Sequence, residues 1–145
     1  SWFLDLSLLM AYWEGDGART YHHTAPVNAM YGLHEALLMV KEEGLENSWH
    51  KHRAMHEVLV ENLNGIGLEF VVDASYRLPQ LNLVKIPEGV DEAAVRKRLL
   101  SEFNLEIGAG LGAFAGKVWR IGLMGYSARH ENIQLCTSAL KHCMR

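Results

Sequence analysis

The sequence predicts an α/β fold in which helices cover one face of a small sheet, preceded by a purely helical segment. The first observation is a change of pattern: residues 1–63 show only helical spacing, whereas later segments include short strand-like runs. The second is the order of the later segments, which is strand, strand, helix, strand, helix. A helix that follows each later strand can pack back onto the sheet.

The first part of the chain contains two predicted helices. Residues 4–13 are apolar at helical spacing, and the Gly-Asp-Gly run at 15–17 then supplies a turn. Pro26 is expected in the first turn of a second helix that ends at Gly44. Its apolar side chains share one side: Val27, Met30, Leu33, Leu37 and Val40.

A long helix over residues 46–63 leads into the strand-like runs at 68–72 and 81–86. Asp91 is a candidate cap for a helix that runs to Phe103. A glycine-rich loop at 108–116, a strand at 117–124 and a last helix capped by Ser127 complete the prediction. The apolar positions expected to face inward recur at helical spacing: Met55, Leu59, Leu63, Val95, Leu99, Ile133, Cys136, Leu140 and Cys143.

Composition excludes several classes of function. The net charge is -3 and lysine and arginine form no cluster, so nucleic acid is not an expected partner. The apolar runs are far shorter than the roughly 20 residues that span a bilayer, so no membrane segment is predicted. Cys136 and Cys143 lie seven residues apart on one predicted helix, about 10 Å and too far for a disulfide. Two reduced cysteines favour a cytosolic or organelle-matrix protein over a secreted one.

The beginning of the second helix is a candidate anion site. Thr24 lies just before Pro26, where free backbone N–H groups and the helix dipole favour negative charge. Tyr21 adds a second hydroxyl three residues earlier, and both hydroxyls can donate to a phosphate oxygen. The alternative is structural: Thr24 caps its helix and Tyr21 packs against apolar neighbours.

Arg120 is the second candidate. Strand alternation places it on one face with Val118 and Gly122, and the apolar surroundings call for an anionic partner. A guanidinium matches a carboxylate with two parallel hydrogen bonds, and Gly122 is expected to leave room for such a ligand. The alternative is a structural ion pair with a carboxylate of the chain such as Glu106.

Other motifs give weaker signals. The adjacent His22 and His23 diverge, and the histidines at 50, 52 and 56 lack a further ligand, so no metal site is predicted. The glycines at 108–112 do not have the spacing of a dinucleotide-binding loop.

Several runs resemble the alanine–glyoxylate and serine–pyruvate aminotransferases, which are class V, fold-type I enzymes that use pyridoxal phosphate. These runs are YHHTAPV at 21–27, GLENSW at 44–49, YRLP at 76–79, GAGLG at 108–112 and KVWRIGLMG at 117–125. The resemblance covers essentially the whole chain. It implies that residues 1–45 are the C-terminal end of the large cofactor-binding domain and that residues 46–145 are the small C-terminal domain.

The resemblance also implies roles for the candidate residues. Tyr21 and Thr24 would contact the phosphate of a cofactor bound mainly by the other subunit of a homodimer, and Arg120 would hold the substrate carboxylate. The implied reaction moves the amino group of alanine or serine to glyoxylate or pyruvate.

The lysine that holds the cofactor in this family would precede Ser1, so we expect the chain to be a fragment that is inactive alone. The resemblance favours a peroxisomal or mitochondrial matrix. The alternative reading is a non-catalytic module that binds a small acid or dimerises.

Overall fold

The computed structural model describes residues 1–14 and 20–145, in two compact units. The first unit comprises Ser1–Glu43 and the second Gly44–Arg145. The turn predicted at 15–17 lies outside the described residues. Within the described residues, no helix combines the length and the apolarity that a bilayer crossing requires.

The first unit is helical, as its spacing predicts. The segment predicted as one helix over 4–13 is instead divided into a 3-10 turn, Trp2–Leu4, and a helix α1, Leu6–Met10. Asp5 causes the division, because its backbone is extended and its side chain accepts the Ser7 N–H at 3.0 Å. Helix α2, Val27–Glu43, ends beside Gly44 as expected, and its predicted apolar side is exposed.

The second unit begins with the long helix α3, Leu45–Gly65. Gly44 precedes it with a φ of 80°, a left-handed conformation that glycine adopts without a steric penalty. Leu59 and Leu63 are buried, and Met55 packs against the same core, so the predicted inner side of this helix is confirmed.

Three antiparallel strands form the sheet, in the order β1, β3, β2. They are β1, Leu81–Lys85, β2, Gly108–Ala109, and β3, Val118–Gly122. The central strand β3 pairs along its whole length with β1 and, at Trp119 and Arg120, with β2. The predicted α/β class with a small sheet is thereby confirmed.

Two predictions about the strands were wrong. Residues 68–72 make only the isolated bridge from Phe70 to Val84, because the chain bends away at the following two residues. The glycine-rich run contains β2, although glycine is a poor strand former. Backbone pairing with the neighbouring β3, which local sequence does not reveal, stabilises this short strand.

The remaining helices are α4, Glu92–Phe103, and α5, His130–Cys143. Asp91 caps α4 as predicted, since its carboxylate accepts the N–H groups of Ala93 and Ala94 at 3.0 Å. The prediction that Ser127 caps α5 was wrong. Ser127 ends a 3-10 turn, Gly125–Ser127, and its carbonyl accepts a backbone N–H at 2.9 Å, so the helix begins three residues later.

The core lies between one face of the sheet and helices α3 to α5. Val84, Trp119 and Ile121 alternate with outward-facing neighbours along β1 and β3, and all three belong to the buried cluster. The helices contribute the other buried side chains, including Leu63, Leu99 and Leu140, which are fully inaccessible to solvent. The opposite face of the sheet is therefore the one available for a site.

Burial makes the thiol of Cys136 chemically inert in the folded chain. Its pKa is raised to about 12 by burial, so at pH 8 only about one thiol in 10,000 is ionised. In a Cys143→Ala variant, we expect Cys136 to react with a thiol reagent orders of magnitude more slowly than after denaturation. Rapid labelling of the native chain would contradict the packing of α5.

Candidate functional site

Strand β3 places Arg120 on the face of the sheet that points away from the helices. Its neighbours Trp119 and Ile121 are buried in the core, so the alternation of the strand turns Arg120 to the opposite side. The residues paired with it are Leu83 on β1 and Gly108 on β2. Arg120 itself is half-buried, as the predicted strand alternation requires.

The guanidinium of Arg120 is fixed by its neighbour strand. Its Nε–H donates to the carbonyl oxygen of Ala109 at 2.7 Å. A Cβ added to Gly108 would lie 3.2 Å from a terminal nitrogen of the same group, so a larger residue there would push the guanidinium aside by a few tenths of an ångström. The Nε edge of the guanidinium is thus held by Ala109. The edge on the other side points away from this hydrogen bond.

The structural alternative for Arg120 was an ion pair with a carboxylate of the chain. Over residues 1–14 and 20–145, no acidic side chain lies within ion-pair distance of Arg120. Glu106, the residue named for that role, is exposed. The half-buried cation therefore lacks an anionic partner in the part of the chain that the structure describes.

The space beside Arg120 is smaller than the sequence suggested. A Cβ added to Gly122 would lie 3.2 Å from the terminal methyl group of Met124. The Met124 side chain therefore folds back over Gly122, which is exposed on the same side of the strand. The expectation that Gly122 leaves room for a ligand stays a prediction, and the thioether of Met124 lines that space.

The glycine-rich run supports β3 rather than a nucleotide. A Cβ added to Gly110 would overlap the backbone carbonyl of Phe114, so this glycine permits the loop to fold tightly on itself. The Gly110 N–H also donates to the carbonyl of Val118 at 3.0 Å. These contacts account for Gly110 through packing of the loop along the strand.

Tyr21 and Thr24 lie close together in the first unit. Their hydroxyl groups form a short hydrogen bond with each other, and Tyr21 is 70% exposed. Tyr21 therefore does not pack in a core. Pro26 immediately precedes α2, and its carbonyl accepts the Met30 N–H at 3.0 Å. The paired hydroxyls lie just before the helix, as the anion-site hypothesis requires.

Tyr12 organises the backbone between these two hydroxyls, and sequence reasoning missed it. Its hydroxyl accepts the N–H groups of His22 and His23 and donates to the carbonyl of His23, each at 2.8 Å. A tyrosine at the end of a short apolar helix carries no local sign of this role. The segment that joins Tyr21 to Thr24 is thus fixed by side-chain hydrogen bonds rather than by regular structure.

His22, His23 and His52 pack against aromatic rings or form hydrogen bonds. His22 and His23 form aromatic contacts with Trp2 and Phe3, with ring centroids 4.1 and 4.3 Å apart. His52 is buried and uses both ring nitrogens in hydrogen bonds. Within the described ranges, no group of three histidine, cysteine or acidic residues is placed to hold a metal ion.

Known proteins resemble this chain over its entire length. The alanine–glyoxylate aminotransferase of Callithrix jacchus is 44% identical over 147 residues, which cover 100% of this chain and 36% of that protein. The (S)-ureidoglycine–glyoxylate transaminase of Bacillus subtilis is 40% identical over 139 residues, covering 96% of this chain and 33% of its own length. No family model matches.

A solved structure shows the same relationship in three dimensions. The crystal structure of alanine–glyoxylate aminotransferase from Nostoc sp. superimposes with a TM-score of 0.88 at 50% identity, over 100% of this chain and 38% of that chain. The chain thus spans little more than a third of the proteins it matches. It belongs to the alanine–glyoxylate aminotransferase family of class V aminotransferases and corresponds to the C-terminal portion of those proteins.

Proposed function

We propose that this chain is the part of a pyridoxal-phosphate-dependent aminotransferase that binds the substrate carboxylate through Arg120 and the cofactor phosphate through Tyr21 and Thr24. The observation that carries the proposal is the half-buried guanidinium of Arg120, which is oriented by Ala109 and has no carboxylate partner among the described residues. A small acid carrying a carboxylate complements this group.

The fixed orientation of the Arg120 guanidinium suits direct hydrogen bonding to a carboxylate. The bond from Nε to Ala109 and the contact with Gly108 restrict rotation of the side chain. A guanidinium held in this way loses little conformational entropy when two parallel hydrogen bonds form. Partial burial strengthens the attraction, because the effective dielectric constant is lower than in water.

The donors at Tyr21 and Thr24 suit a phosphate. Both hydroxyls lie just before the 17-residue helix α2, where the helix dipole favours a negative charge. Each hydroxyl can rotate so that its proton points to a phosphate oxygen instead of to the other hydroxyl. Bound pyridoxal phosphate would supply the electron sink for amino-group transfer. By the family resemblance, that cofactor is held mainly by the other subunit of a homodimer.

Several relatives have names that share glyoxylate and differ in the amino donor. Alanine, (S)-ureidoglycine and serine each appear beside glyoxylate in these names. We therefore favour glyoxylate, a two-carbon keto acid, as the acceptor for the protein that contains this segment. Alanine or serine is the proposed donor, and pyruvate is the alternative acceptor.

Domain boundaries and compartment are also part of the proposed function. Residues 1–45 are assigned to the end of the large cofactor-binding domain and residues 46–145 to the small domain, close to the division between the two compact units. The exposed apolar side of α2 is consistent with a segment that packs against further protein. A peroxisomal or mitochondrial matrix is the proposed compartment.

Replacing Arg120 tests the carboxylate role. In the full-length subunit, Arg120→Ala should raise the KM for glyoxylate about 100-fold, since a bidentate charged pair contributes roughly 3 kcal/mol. Arg120→Lys keeps the charge but loses the planar guanidinium, so its KM should lie between those of the wild type and Arg120→Ala. Arg53→Ala, which removes an exposed arginine on α3, is the matched control. An unchanged KM in Arg120→Ala would overturn the assignment.

A second substitution pair tests the phosphate contacts. Tyr21→Phe and Thr24→Val each remove one hydroxyl with little change in shape, and each should weaken pyridoxal phosphate binding about tenfold. Affinity is measured by visible absorbance titration of the full-length protein. Tyr31→Phe, at an exposed tyrosine on α2, is the control and should bind normally. Normal affinity in both test variants would contradict the proposed contacts.

The 145-residue chain alone should neither hold the cofactor covalently nor turn over substrate. Titration with pyridoxal phosphate, borohydride reduction and mass mapping should find no stoichiometrically labelled lysine. Specific labelling of one lysine would show that the catalytic residue lies within residues 1–145. Saturable binding of a small acid through Arg120 to full-length protein that has no transaminase activity would favour the non-catalytic alternative.

A further inference from the structure

We propose that His52 is a positioning residue that fixes the turn after β3 and thereby the surface beside Arg120. This inference rests on the proposed function, because it assigns His52 a part in substrate binding. His52 lies on α3, its side chain is only 7% exposed, and it reaches a segment 73 residues further along the chain.

Two hydrogen bonds hold the imidazole of His52. Its Nε2 accepts the backbone N–H of Gly125 at 2.9 Å, and its Nδ1 lies 2.6 Å from the carbonyl oxygen of Ser48. An amide N–H can only donate and a carbonyl can only accept, so the ring proton must lie on Nδ1. The bridge from α3 to the turn is therefore made by a neutral imidazole in a single tautomer.

The anchored residue controls the turn that follows β3. Gly125 has a φ of 55°, the left-handed conformation that begins the 3-10 turn Gly125–Ser127. The Ser127 N–H donates to the carbonyl of Met124 at 3.0 Å and closes the turn. On the other side of Met124, the Leu123 N–H donates to the carbonyl of Gln80 at 2.8 Å. Met124 is thus held between two fixed backbone amides.

The position of Met124 shapes the surface next to the candidate carboxylate site. Its terminal methyl group lies over Gly122, the next residue on the same side of β3 as Arg120. If the Gly125 bond is lost, the turn after Met124 is closed only by its own local hydrogen bonds and is no longer tied to α3 through His52. The thioether can then leave Gly122, and the surface against which a small acid is held becomes looser.

An apolar side chain would fill the place of His52 but would not perform this task. Leucine or methionine on α3 would leave the Gly125 N–H without its acceptor, and an unsatisfied backbone donor is costly. Asparagine can keep the bond to Ser48, because its amide nitrogen corresponds to Nδ1, but it is too short to reach Gly125. Glutamine can present an acceptor at the position of Nε2.

The test compares these two substitutions in the full-length protein. His52→Asn should raise the KM for glyoxylate about fivefold, the effect of losing one hydrogen bond, with kcat changed by less than about twofold. His52→Gln should restore the KM to near the wild-type value. His50→Asn changes an exposed histidine on the same helix and should have no effect. Hydrogen–deuterium exchange of residues 122–128 should be faster in His52→Asn only.

Each outcome decides a separate point. A normal KM in folded His52→Asn, or an equal loss of thermal stability in both variants without a change of KM, would overturn the positioning role. Slow exchange at 122–128 in His52→Asn would overturn the bridge itself. If His52→Asn does not fold, a raised KM with fast exchange in His52→Gln would also count against the proposal. A normal KM in Arg120→Ala would instead refute the proposed function, while the exchange data would still report on the bridge.

Discussion

The second unit depends on the central strand β3, because this strand pairs with β1 on one side and β2 on the other. Its side chains alternate between the buried core and the opposite face of the sheet. Trp119 and Ile121 are buried among residues of α3, α4 and α5. That burial fixes the orientation of the strand, since a shift of one residue would exchange its two faces. Arg120 consequently lies on the face of the sheet that points away from α3, α4 and α5.

The surroundings of Arg120 are built from glycine and backbone rather than from acidic side chains. Gly108 allows the guanidinium to lie against β2, and the carbonyl of Ala109 orients it without neutralising its charge. A structural salt bridge would have satisfied the arginine internally. Within residues 1–14 and 20–145, the cation is instead oriented without a carboxylate partner, as the proposed carboxylate role requires.

The first unit uses a different means to fix its polar groups. The segment that carries Tyr21 and Thr24 has little regular structure, and the hydroxyl of Tyr12 accepts two hydrogen bonds from its backbone and donates one to it. His52 plays the corresponding part in the second unit, where it joins α3 to the turn after β3. In both units, a single polar side chain restrains a loop next to a candidate binding group.

The sequence by itself determined the features that depend on neighbouring residues: the inner sides of α3 to α5, the Asp91 cap and the alternation of β3. Residue patterns also singled out Arg120, Tyr21 and Thr24 as candidates, and family motifs supplied their proposed roles. Only the tertiary structure decided that β2 pairs with β3, that Met124 covers Gly122 and that His52 binds Gly125. These contacts depend on how the backbone folds in three dimensions, and His52 and Gly125 are separated by 73 residues. Local periodicity carries no information about such pairs, because it reports only which side of an element is buried.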